Sequence, residues 1–148
     1  MRINLIPQIP ENIATRLTVS KNGDVLTING EAINFSTLPD GATIPAGEVP
    51  CEWIVGPIDR VDGKLHLTLI LPIGWTPEPW QTFPDPIIDP PDGPLDLPWD
   101  TYSETASEKV AGGTRVVVTT YRWHQEPEIE TTFVPDPVQP QETTDVDA

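Results

Sequence analysis

Lys64-Leu65-His66-Leu67-Thr68-Leu69-Ile70-Leu71-Pro72 is the stretch on which the fold class turns. Side chains alternate across a strand, so Leu65, Leu67, Leu69 and Leu71 share one face while Lys64, His66 and Thr68 share the other. This period of two predicts a strand at the centre of the core. Arg60-Val61-Asp62-Gly63 precedes it with an Asp-Gly turn, and Glu52 to Asp59 supplies the other arm of a hairpin. Working outward, Thr15 to Ser20 and Asp24 to Asn29 flank Lys21-Asn22-Gly23, and Asn29-Gly30 leads into Glu31 to Phe35, which predicts a three-strand meander. Arg2 to Ile6 is a further short strand closed by Pro7 and Pro10. Residues 38–50 hold too many Pro and Gly to form an element. Residues 1–72 are therefore expected to form an antiparallel β-domain, a small sandwich or barrel. Four buried leucines contribute about 1.5–3 kcal/mol each before chain entropy is charged.

Residues 72–98 differ in kind, with nine prolines in 27 positions and Trp75, Trp80, Phe83, Ile87, Ile88, Leu95 and Leu97 interleaved. Proline fixes φ and removes an amide donor, so neither a helix nor an interior strand is expected over 73–98. The apolar side chains distinguish this stretch from a polar linker and predict that it lies along a surface, either of its own domain or of a partner. Past Pro98 the strand pattern returns. Thr101 to Val110 and Thr114 to His124 flank Ala111-Gly112-Gly113, and Glu128 to Val134 follows as a third strand. A ribbon over 99–134 carries too little apolar surface to stand alone, so it is expected to dock on the first domain or on another chain. Residues 135–148 are acidic and Pro-rich and read as a disordered tail.

The formal charge of −15 is uneven: residues 1–72 carry five Lys/Arg against eight Asp/Glu, and residues 73–148 three against fifteen. No basic residue lies between Lys64 and Lys109, where eight carboxylates fall. A surface of this sign repels phosphate backbones, which excludes ordinary nucleic-acid binding; such charge more commonly serves as a solvated surface that keeps a chain soluble, and the alternative is an acidic DNA-mimic inhibitor of a host enzyme. One cysteine, Cys51, leaves no intramolecular disulfide, and no apolar run approaches a membrane span of about 20 residues. With no long apolar segment near Met1 to serve as a secretory signal, synthesis in the cytoplasm and no membrane partner are expected.

Chemistry-bearing constellations are missing from the pattern. His66 and His124 are the only histidines and neither has a Cys or His at metal-ligand spacing, so no metal and no cofactor are expected. No Gly-rich phosphate cradle and no nucleophile elbow occurs. Carboxylate pairs in so acidic a chain carry no specificity. The reading is of a non-enzymatic protein. Recognition then falls to aromatic side chains, which dominate interface energetics. Trp75, Trp80, Phe83, Trp99, Tyr102, Tyr121 and Trp123 are the candidate partner-binding residues, and Trp53 reads as core.

Met1-Arg-Ile-Asn-Leu-Ile-Pro7, the segment from Leu17 to Ser36, Glu52-Trp-Ile-Val-Gly56, the segment from Asp59 to Pro72 and Asp92-Gly-Pro94, in that order and spacing, resemble small proteins encoded near tail-fibre genes of tailed bacteriophages and prophages. The resemblance covers residues 1–98. It implies a structural or binding protein of a phage tail (tip, baseplate or fibre-associated) whose partners are tail or fibre proteins, with a homo-oligomer compatible and the virion as its location. The alternative it implies is a tail-fibre assembly chaperone. In either role an extended arm and the β-ribbon would carry the contacts.

Overall fold

The computed structural model describes residues 1–12 and 14–138. The expected acidic tail lies outside them from residue 139 onward. The chain divides into two compact units, Met1–Asp100 and Thr101–Ala148. In chain order the first contains β1 (Arg2–Gln8), β2 (Val19–Asn22), β3 (Val25–Ile28), β4 (Glu31–Asn34), β5 (Thr43–Ile44), β6 (Ile54–Val61), β7 (Lys64–Pro72), α1 (Pro79–Thr82), β8 (Ile87–Ile88) and β9 (Gly93–Pro94). The second contains β10 (Tyr102–Val110), β11 (Gly113–Tyr121) and β12 (Glu128–Pro135). The fold is all-β.

The first unit is built from two sheets, β5-β6-β7-β1-β8 and β4-β3-β2-β9, which share one core. Strand β7 sits in the middle of the larger sheet, and all four of its odd-numbered leucines are buried. Ile3 and Leu5 from β1 and Val19, Leu26 and Ile28 from the smaller sheet meet them, with Phe35 and Ile58 completing the layer. The turns follow their residues. Asp62-Gly63 and Asn29-Gly30 both take positive φ, as two-residue hairpin loops of the primed type require. In the first hairpin the loop is Gly23-Asp24, because Asn22 still pairs with Val25. The strand β6 bulges between Val55 and Asp59, where Gly56 (φ 72°) and Pro57 sit and no regular ladder is needed.

One pairing departs from the antiparallel expectation: β1 runs parallel to β7, with Ile3 opposite Leu67 and Leu5 opposite Leu69. Hairpin partner β6 already occupies one edge of β7, and the smaller sheet lies in sequence between β1 and β7. The intervening chain is long enough for a parallel crossover. The register aligns the two apolar faces, so burial of Ile3 and Leu5 selects it.

The prolines of residues 73–98 do not make a separate arm. This segment belongs to the first unit and edges both of its sheets: β8 pairs with β1, and β9 pairs with β2. Ile73, Ile87, Leu95 and Leu97 pack against the core. Contrary to expectation it also contains one helical turn, α1, which Pro79 opens at the first position, where a missing N–H costs nothing. Gln81 in that turn is buried; its Nε2 donates to Asp100, and its Oε1 accepts from the Glu78 amide at 3.0 Å. Two-residue strands at sheet edges are compatible with proline, which explains how a Pro-rich stretch joins both sheets.

Two carboxylates pin this strap. Asp89 accepts from Lys64 Nζ at 2.7 Å and from the Met1 amino group at 3.1 Å, and Asp92 accepts from Lys21 Nζ at 2.7 Å and from the Gly23 amide at 3.0 Å. The hydrogen bond from Lys64 first, then that from the Met1 amino group, holds Asp89 below the usual carboxylate range; Lys21 and then Gly23 do the same for Asp92. A lowered folded-state pKa contributes stability above the unfolded value, and that stability is lost as pH falls through the folded one. The melting temperature of the wild-type chain should therefore fall more steeply below about pH 4 than that of Asp89→Asn/Asp92→Asn. Parallel melting-temperature profiles for the two would show that these carboxylates contribute nothing.

Candidate partner-binding surface

The seven candidate aromatic residues do not form one site. Trp75 and Phe83 stand out from the Pro-rich strap, 75% and 82% exposed. Trp80, between them in sequence, is half-buried and its indole Nε1 is enclosed without a hydrogen-bond partner, so its polar edge points inward. Trp99 closes the first unit at 38% exposed and lines a small cleft of about 70 Å³ with Leu17, Leu97 and Asp100. Tyr102, Tyr121 and Trp123 belong to the second unit.

That unit is a three-stranded antiparallel sheet in the order β10-β11-β12. Directly opposed residues point to the same side, so the register defines two faces. One carries Tyr102 and Tyr121 at one end, the row Ala106, Val117 and Thr131 across its middle, and Ile129 and Phe133 along β12. The tyrosine rings stack with centroids 5.0 Å apart. At the other end the Phe133 ring lies over Gly113, where a Cβ would stand 2.5 Å from its Cζ. Between these aromatic ends the sheet forms a shallow trough of about 400 Å³ lined by Ala106, Val117, Ile129 and Thr131 together with Ser107 and the charged pair Glu108 and Arg115. The opposite face carries Val116, Val118 and Val134 among Ser, Thr and Glu side chains.

Charge on the sheet is largely paired. Arg115 bonds to Glu108, Lys109 to Asp136 and Arg122 to Glu128. The Tyr121 hydroxyl donates to Glu104 at 3.5 Å, and that carboxylate, ahead of partial burial and Tyr102, raises the phenol pKa above its ordinary value. Trp123 stacks on His124, whose positive φ of 57° places it in the turn leading to β12. No apolar side chain of the sheet is buried among the described residues; the only buried residue is Gly113. Ile129 and Phe133 were not among the residues singled out by sequence. Their alternation in Glu128-Ile129-Glu130-Thr131-Thr132-Phe133-Val134 is the signal that joins them to Tyr121 and Tyr102.

In the first unit, two open grooves of about 380 and 430 Å³ share Glu52 and Trp53 as a wall. Trp53 and Cys51 are half-buried and pack against the core. Among the described residues no group of three or more His, Cys, Asp or Glu is placed to hold a metal ion. No helix of the described residues is long and apolar enough to cross a membrane. No family model, curated protein or solved structure matches the chain.

Proposed function

We propose that this chain is a non-enzymatic structural protein of a bacteriophage tail, and that it grips neighbouring tail or fibre subunits through the β10-β11-β12 sheet. One observation carries this reading: the sheet presents Val, Ile, Tyr and Phe side chains on nine- and eight-residue strands yet buries none of them within itself. An isolated sheet of this size gains too little from burial to offset chain ordering, and partner contact supplies what is missing. The resemblance of residues 1–98 to proteins encoded near tail-fibre genes points to the kind of neighbour. With residues 73–98 committed to the first unit, the strap offers its outward Trp75, Phe83 and Ile88 to a partner.

Quantitative mass spectrometry of gradient-purified particles, from a lysate making the chain at native levels, tests this. Recovery in fixed ratio to known tail subunits is the expected result. Abundance in the lysate with absence from particles would overturn it and favour the assembly chaperone, which leaves before the particle matures.

A further inference from the structure

We propose that the outer edge of β12 pairs with the same edge of a second copy of this chain, about a twofold axis through Thr131, to make a continuous six-stranded sheet. The inference goes beyond the tail reading and stands independently of it. Among the described residues β12 is hydrogen-bonded on one side only, to β11, and all eight of its residues are exposed. Its row of outward amides and carbonyls is a template for another strand. Between its first residue and Pro135 it has no proline, bulge or lysine of the kind that guards an edge. Ile129, Thr131, Thr132, Phe133 and Val134 instead have side chains that favour strands.

The partner follows from register. Backbone groups of alternate residues point outward along an edge strand, so an antiparallel ladder between two copies forms only where residues of like parity face each other. Such a ladder is centred on a residue. Centring on Ile129 sets Glu128 against Glu130, and centring on Glu130 sets it against itself. Centring on Thr132 or Phe133 shortens the ladder and brings Glu128 or Glu130 opposite Asp136. Centring on Thr131 avoids all of these: Glu128 faces Val134, Glu130 faces Thr132, and Ile129 faces Phe133 on the apolar side. Beyond the strand ends Glu126 meets Asp136, which Lys109 already neutralises. The pairing also extends the row Ala106, Val117 and Thr131 across both copies, so that the troughs of the two sheets lie on one face of the six-stranded sheet. The free edge of β10 carries a lysine, Lys109, beside Glu104 and Glu108, whereas β12 has two glutamates and no lysine; lysine above all discourages strand addition at an edge.

The test uses the full chain and two opposite charges at the twofold. Light scattering coupled to size exclusion should give twice the chain mass for the wild type and one chain mass for Thr131→Lys and for Thr131→Glu, because each variant faces itself across the axis. An equimolar mixture of the two variants should recover the dimer, since lysine then faces glutamate. This recovery also shows that neither change has unfolded the sheet. A monomeric wild type, a dimer indifferent to both substitutions, or a mixture that stays monomeric would each overturn the proposal.

Discussion

Leu69→Ala should lower the unfolding free energy of the first unit by about 2–5 kcal/mol. Leu69 is fully buried in the central strand β7, with Leu5 of β1 beside it on one side and Ile54 of β6 on the other. Shortening it removes apolar contact from both neighbours. It also opens a cavity that two paired strands cannot close by shifting, because their ladders hold them apart. Ile70, the next residue, lies on the opposite face and is only half-buried, so Ile70→Ala should cost distinctly less. Urea unfolding of both variants decides the matter. Equal losses would mean that the alternation of β7 does not set the core.

Arg60→Ala should destabilise the same unit by about 2–4 kcal/mol. Arg60 is 9% exposed, and its guanidinium reaches three backbone carbonyls: Leu38 at 2.6 Å, Phe35 at 2.9 Å and Gly63 at 3.2 Å. Its fourth partner is the Asp24 carboxylate at 3.2 Å, which is 40% exposed and so screened by water. The loss therefore comes mainly from the carbonyls, two of them in the Pro- and Gly-rich stretch that follows β4. That stretch has few ladder bonds of its own, and the arginine holds it against the sheet. Arg60→Lys should recover little, since one ammonium cannot reproduce a planar fork aimed at carbonyls in separate turns. Urea unfolding of Arg60→Ala and Arg60→Lys measures both, and near wild-type stability for the lysine variant would show that charge alone suffices.

Neither Arg60 nor Gln81 could be singled out by reading along the chain, and the reason is physical. Apart from Gly63 and Glu78, each three residues away, their partners lie 22, 25 and 36 residues away for Arg60, and 19 away for Gln81 to Asp100. Local pattern carries no information about such pairs. The leucine alternation in β7 and the Asn29-Gly30 and Asp62-Gly63 turns were legible because their geometry is set within four to nine residues, whereas the first hairpin turns one residue later than its Asn-Gly pair indicates. The strap is the intermediate case. Its prolines correctly indicate a shortage of backbone donors, and its interleaved Ile and Leu indicate burial. Proline at the first position of a helical turn, and at a sheet edge, escapes the rule that bars it from element interiors.

The candidate surface divides the same way. Tyr121 and Tyr102 stand out by residue type, but only the pairing of β10 with β11 brings their rings into stack, and only the pairing with β12 adds Ile129 and Phe133 to their face. The all-β class, the hairpins and the central strand follow from side-chain period and turn chemistry, which act between near neighbours in the chain. The parallel partner of β7, the commitment of residues 73–98 to the first unit and the aromatic-bearing face of the second arose from distant segments meeting. Burial of one segment against another rewards a register that neither encodes alone.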